Sequence, residues 1–249
     1  MTEAVEMVTN DHMVLVVGEP ATGKSVSLRN LSSIIIFNCE AGKKLPYRAS
    51  KDKQVKVVNI TNPKDLPALF DAYSNIPQVK YIAIDGLNFL MDMFESQFVL
   101  TSANTQKAWS DYAQFFKRFM QEHVARSKKT VIFTAHTKVY TDALTGVSRV
   151  MVPVKGALAN QGVEAYFTTI VATKKERLVD LEDYANDMLH VTEDDEIVNY
   201  KHVFQTRPTA NTTNERVRSP MGMFSIKETF MDNDLAQLCD RMHEYYAEE

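Results

Sequence analysis

Apolar residues fall in short continuous runs along this chain, separated by polar stretches. HMVLVV (12–17), SIIIFN (33–38), VKVVNI (55–60), KYIAID (80–85), TVIFTA (130–135) and YFTTIVAT (166–173) are rich in Val, Ile and Phe and read as strands. NYKHVFQT (199–206) alternates sidedness and reads as a further one. A run that is apolar at successive positions has no wet face, so these strands are expected to be covered on both sides, as in a parallel sheet. Helical period fills the gaps. Residues 24–32 follow a glycine-bearing turn. PKDLPALFDAY (63–73) has Asn62 as an N-cap and Pro63 at the first helical position. Residues 106–126 put Trp109, Tyr112, Phe116, Phe119, Met120 and Val124 on one face, a stripe expected in the core. The C-terminal DNDLAQLCDRMHEYYAEE places Leu235, Leu238, Met242 and Tyr245 on one side. Strands alternating with helices predict an α/β fold with crossover connections.

Two stretches break the alternation. Residues 137–162 are rich in Thr, Gly and Lys and read as a long loop. Residues 176–196 hold nine acids against one arginine and read as a solvated surface insertion. No low-complexity linker divides the chain, so residues 1–249 are expected to form a single domain.

Composition narrows the setting. No run approaches the ~18 apolar residues of a membrane span, so no membrane partner is expected. The N-terminal MTEAVEMVTND is acidic and polar, unlike a signal peptide. Cys39 and Cys239 are the only cysteines, too few and too far apart to argue a disulfide framework or a zinc site. A reducing cytoplasm is the default compartment. With a net charge of −4, any nucleic-acid contact must use a local basic surface.

The strongest chemical signal is GEPATGKS at 18–25, which fits G-x-x-x-x-G-K-[ST] directly after a strand. Its backbone, from Gly18 through Glu19, Pro20, Ala21, Thr22 and Gly23 to Val26, is expected to curl so that N–H groups face phosphate oxygens. The helix beginning near Lys24 adds its positive end. Lys24 supplies a charge for the β- and γ-phosphates, and Ser25 a hydroxyl for Mg²⁺. YIAID (81–85) is an apolar strand ending in Asp85, the form of a Walker B strand, which could hold the magnesium through a water. IIIFNCEAGKK (34–44) ends in Glu40, placed for general-base work on a water. TVIFTAH (130–136) ends in His136, where a polar side chain can touch a γ-phosphate and signal its loss.

In this order the motifs GEPATGKS, CEAG, YIAIDGL and TAH resemble the RecA-like recombinase core. Within it the chain is similar to the phage-encoded ATP-binding proteins of the Sak-type single-strand annealing group, over roughly residues 12–230. The resemblance implies a RecA-like P-loop NTPase core: a mostly parallel central sheet flanked by helices, with a late β extension. It implies ATP and Mg²⁺ as ligands, Glu40 as catalytic base and His136 as γ-phosphate sensor, where RecA has glutamine. It implies single-stranded DNA as a partner, bound by the loop after the sensor. Here that loop lies within 137–162 and carries Lys138, Tyr140, Arg149 and Lys155. A first DNA-contacting loop falls near 95–106, which has no basic residue. Family members complete each ATP site from a neighbouring subunit. That role falls to Arg216 and Arg218, in a homo-oligomeric ring or filament with shared sites. A single-stranded-DNA-binding protein is a further partner the family admits, and a phage protein of this kind acts in the host cytoplasm. The acidic stretch 176–196 is expected to sit away from DNA.

Two other readings remain open at the level of sequence. One is a P-loop kinase acting on a small molecule, which needs an arginine-bearing lid, whereas 139–200 holds only Arg149 and Arg177. The other is a non-enzymatic annealing scaffold in which ATP only orders the fold.

Overall fold

Strands without a polar face need cover on both sides, and the computed structural model, which describes residues 10–247, provides it for the inner strands, while the VKVVNI run forms a partly exposed edge strand. The strands are β1 (Met13–Gly18), β2 (Ile34–Asn38), β3 (Val55–Asn59), β4 (Tyr81–Asp85), β5 (Thr130–His136), β6 (Lys138–Thr141), β7 (Ser148–Met151), β8 (Thr169–Arg177), β9 (Tyr200–Gln205) and β10 (Phe230–Asp232). Eight of them form one sheet in the order β10-β9-β8-β1-β5-β4-β2-β3. The six from β8 to β3 run parallel, and β9 and β10 extend the β8 edge antiparallel. This is the α/β class read from the sequence, with its late β extension. MTEAVEMVT at the N-terminus and residues 248 and 249 lie outside the described residues.

Helices α1 (Leu66–Ser74), α2 (Leu87–Phe94), α3 (Thr105–Arg118) and α4 (Gly156–Gln161) cover one face. The opposite face is covered by the turn of 3₁₀ helix Ser25–Asn30 and by the C-terminal helix, Leu235–Ala247. The pleat divides each central strand between the two cores. On β1, Leu15 and Val17 point into the first, Val14 and Val16 into the second. Between β8 and β9 the chain forms α5 (Leu178–Leu181) and α6 (Glu193–Val198), and the C-terminal helix is therefore α7.

Four features differ from the sequence reading. The segment expected as a helix over 24–32 is the short 3₁₀ turn Ser25–Asn30. Helix α2 was not foreseen. It has only eight residues, six of them apolar, too few for helical period to stand out from the surrounding apolar run. The long loop expected over 137–162 is instead the β6–β7 hairpin followed by α4. Residues 95–106, read as a loop, continue α2 as a π turn over Glu95–Val99 with Val99 buried, and lead into α3. The acidic stretch is on the surface, as expected. Most of its carboxylates are exposed, and Thr192 opens α6 with a capping box. Asn62 caps the turn before α1, its Oδ1 accepting from Lys64 N at 3.1 Å.

Both cysteines are buried free thiols. Among the described residues no helix is long and apolar enough to cross a membrane. Phe133 on β5 is fully buried, with its ring 5.2 Å from that of Phe167 and 6.2 Å from that of Phe119. Phe133→Ala is expected to lower the unfolding free energy by about 3–5 kcal/mol in a denaturant titration. A loss below about 1 kcal/mol would show that this position is not the packed centre of the sheet.

Candidate active site

Parallel strands end at one level, and the register fixes which residues meet there. Gly18 on β1 faces His136 on β5, Asp85 on β4 faces Thr134 on β5, and Asn38 on β2 faces Asp85. Strand β5 lies between the strand that leads into the phosphate loop and the strand that carries Asp85.

The loop leaves β1 at Gly18, where an added Cβ would collide with Thr173 Oγ1 on β8. Ala21 and Gly23 adopt left-handed backbone at φ +62° and +105°. Thr22 Oγ1 donates to Glu19 O at 2.8 Å and lies 2.5 Å from Thr173 Oγ1, so it closes the turn on itself and on β8. Lys24 folds back over the turn. Its Nζ donates to Gly18 O at 3.0 Å and Glu19 O at 2.7 Å. The side chain is buried, and burial lowers its pKa to about 8 against the opposing pull of Glu40 and Asp85. Val26 follows within the 3₁₀ turn, where its carbonyl accepts from Arg29. Pro20 lines a cavity of about 400 Å³ beside the loop.

Asp85 is 4% exposed, and its Oδ1 accepts two hydroxyls: Thr134 Oγ1 at 2.6 Å and Ser25 Oγ at 3.1 Å. Burial raises the carboxyl pKa, and these two bonds oppose the rise. Thr134 Oγ1 also accepts from Gly86 N at 2.9 Å, which fixes its rotor. The hydroxyl of Ser25 and the carboxylate of Asp85 are hard oxygen donors side by side at the mouth of the phosphate loop. This donor set suits Mg²⁺ with phosphate and water completing the shell. Glu40 packs against Gly86, where a Cβ would stand 3.0 Å from Glu40 Cγ, so its carboxylate lies beside the Asp85 strand end. Glu40 Oε2 accepts from Lys43 Nζ at 2.9 Å, and that bond raises the lysine pKa.

His136 is held by its backbone N–H, which donates to Asn88 Oδ1 at 2.6 Å. Its Nδ1 is buried and has no partner among the described residues. Burial first, and then the charge of Lys24, lowers its pKa, so the ring is neutral at physiological pH. Asn88 Nδ2 donates in turn to Pro153 O at 3.2 Å. One amide therefore ties the end of β5 to the segment after β7. The hairpin begins two residues beyond His136. Lys138, Tyr140 and Arg149 all lie on it and are exposed, with Tyr140 and Arg149 paired across the strands.

The remaining sequence-selected cations are placed differently. Lys155 stands before α4, where its Nζ pairs with Glu95 Oε2 at 2.5 Å, away from the hairpin strands. Arg218 is committed within its own subunit, donating to Glu164 O at 2.6 Å and to Phe167 O. Arg216 Nη1 donates to Glu164 Oε2 at 3.0 Å, and the residue lines the cavity beside Gly18 and Pro20. Thr134, Asn88 and Glu164 escaped the sequence reading. Thr134 and Asn88 left a faint signal, as polar residues enclosed by apolar ones in VIFTA and LNFLM. Glu164, 3% exposed, left none; its Oε1 accepts from Val152 N at 2.8 Å, so it anchors both Arg216 and the hairpin exit.

The model of a family described as AAA domain matches residues 10–213. No curated protein matches the chain. The buried ammonium of Lys24 provides a pH test of this site. It titrates near 10.5 in the unfolded chain and at about 8 when folded. Between those values the unfolded chain holds a proton that the folded protein has released, so stability rises with pH across the window. Lys24→Met cannot titrate. Urea unfolding from pH 8 to 10 is expected to show the wild type gaining on the order of 1–2 kcal/mol relative to the variant. Parallel pH profiles would place the ammonium in water.

Proposed function

The chain belongs to the AAA domain family of P-loop ATPases, and from that premise we propose that it hydrolyses Mg·ATP and couples nucleotide state to binding of single-stranded DNA, as a RecA-like protein of the Sak-type annealing group. The observation that carries the coupling is the path from loop to hairpin. His136 is in register with Gly18, and the chain runs from it through Thr137 into the exposed hairpin of Lys138, Tyr140 and Arg149. Asn88 ties His136, where the hairpin is entered, to Pro153 just beyond its second strand.

Each residue has a role. Backbone N–H groups of residues 18–26 and the ammonium of Lys24 bind the phosphates. Ser25 and Asp85 hold Mg²⁺, which neutralises charge on the phosphate oxygens. Glu40 accepts a proton from the attacking water. Neutral His136 reads the presence of the terminal phosphate by hydrogen bonding and passes its loss to the hairpin. Lys138 and Arg149 pair with DNA phosphates, and the Tyr140 ring stacks on a base. Arg216, with donors to spare beyond Glu164, completes a neighbouring subunit's site in a homo-oligomer; Arg218 keeps the 216–218 segment on β8.

Phosphate release should be followed with and without single-stranded DNA over a range of protein concentrations. Specific activity is expected to rise with both. Lys24→Ala is expected to abolish nucleotide binding. Glu40→Gln should keep binding and lose turnover by about 10²-fold or more. A response flat on both axes would overturn the DNA role and the shared site together. DNA binding that is equal with ATP, ADP or neither would instead establish the scaffold reading.

A further inference from the structure

A phosphate loop that aims its N–H groups inward must turn some carbonyls outward, and those carbonyls need donors of their own. Lys24 and Thr22 serve Gly18 O and Glu19 O from within the loop, and for the next two carbonyls donors come from β9 and from the segment after β10. Thr22 O accepts from His202 Nδ1 on β9 at 3.0 Å and from Asn233 Nδ2 at 3.3 Å. Gly23 O accepts from the same Asn233 Nδ2 at 3.3 Å, and from Ser27 N at 3.0 Å. Asn233 lies at the junction of β10 and α7, beyond the residues that match the family. Its amide rests directly on the loop backbone, and a Cβ on Gly23 would collide with its Nδ2. The same junction grips the turn that follows the loop. Arg29 Nη1 donates to Asn233 O at 2.6 Å, and Asn30 Nδ2 to Asp234 Oδ2 at 2.6 Å.

One feature separates this contact from ordinary packing. Asn233 is 5% exposed, and its Oδ1 is buried with no partner among the described residues. Turning the amide over would satisfy nothing, because it would set an oxygen against two carbonyls. A buried acceptor left unmade weakens the fold, so asparagine is a poor choice here for stability. What it provides is a double donor at the one place where two outward carbonyls of the loop converge.

We propose that Asn233 is a positioning residue for the phosphate loop, which sets nucleotide affinity by holding the Thr22 and Gly23 carbonyls outward so that the loop's N–H groups face the phosphates. This rests on the nucleotide-binding reading above. It assigns to the C-terminal β10–α7 junction a part in the ATP site, alongside the β9 residue His202.

The full-length chain and its Asn233→Ala and Asn233→Asp variants should be titrated with Mg²⁺ and a fluorescent ATP analogue, and their melting recorded without nucleotide. Asn233→Ala is expected to weaken binding and raise KM about tenfold with kcat retained, a ground-state effect. Its melting temperature should stay near that of the wild type, because a buried orphan acceptor leaves together with the donors. Asn233→Asp keeps the shape, faces the carbonyls with a charge, and is expected to bind more weakly still. Wild-type affinity in both variants would overturn the inference and leave nucleotide binding intact. So would a lowered melting temperature with affinity restored on cooling, since that marks a structural role only. Failure of the wild-type chain itself to bind the analogue would overturn the nucleotide reading on which the inference stands.

Discussion

A carboxylate almost sealed from water must find donors or give up its charge, and Asp85 finds two hydroxyls. One comes from Thr134, its register partner on β5, and the other from Ser25 at the foot of the phosphate loop. The phosphate loop, β4 and β5 are thus joined at a single oxygen atom. That junction exists only because β5 is threaded between β1 and β4. Were β1 and β4 adjacent, Thr134 would be elsewhere and His136 would not stand beside Gly18. Strand order, more than any one side chain, decides which residues of this sequence can act together.

The sheet was largely legible because its inner strands are buried on both faces. Val14, Leu15 and Val16 are all inaccessible, so the run in the sequence is continuous and cannot be mistaken for a surface segment. The phosphate loop was legible for a different reason: a glycine five positions before another, followed by Lys24 and Ser25, is demanded by anion binding and by little else. Helix α2 was not legible. It spans only eight residues, six of them apolar, and even Phe89 on its outer side is apolar, so the helical period is hard to read in so short a run. The β6–β7 hairpin looks like loop in the sequence because its strands are four residues long, β6 is exposed throughout, and the connection carries Thr145 and Gly146, leaving no alternation to read. The arginines show a further limit. Arg216 and Arg218 look equivalent in sequence, two residues apart in an extended segment. In the fold one guanidinium is spent on the carbonyls of residues 164 and 167, and the other borders a cavity. Only the return path of the chain over β8 distinguishes them.

Long-range ties explain why a loop of few residues is so firmly shaped. Thr173 on β8 meets the loop across 151 residues of sequence, and His202 on β9 across 180. Contacts of that span exist only when the sheet is assembled, so the shape of the loop is a property of the whole fold and not of the local sequence alone.

The folded-back side chain of Lys24 has a consequence for selectivity. Its ammonium already has two carbonyl partners in its own loop. An arriving anion therefore displaces existing bonds before it gains new ones, and the encounter is a partner swap in which only the surplus counts. Neutral solutes and weakly charged monoanions offer the cation nothing better than it has. A polyphosphate, with dense charge on adjacent oxygens, has the chemistry to compete with both carbonyls at once. A ligand bound by Lys24 would therefore be selected first by rivalry for one cation, before the shape of the rest of the ligand is tested.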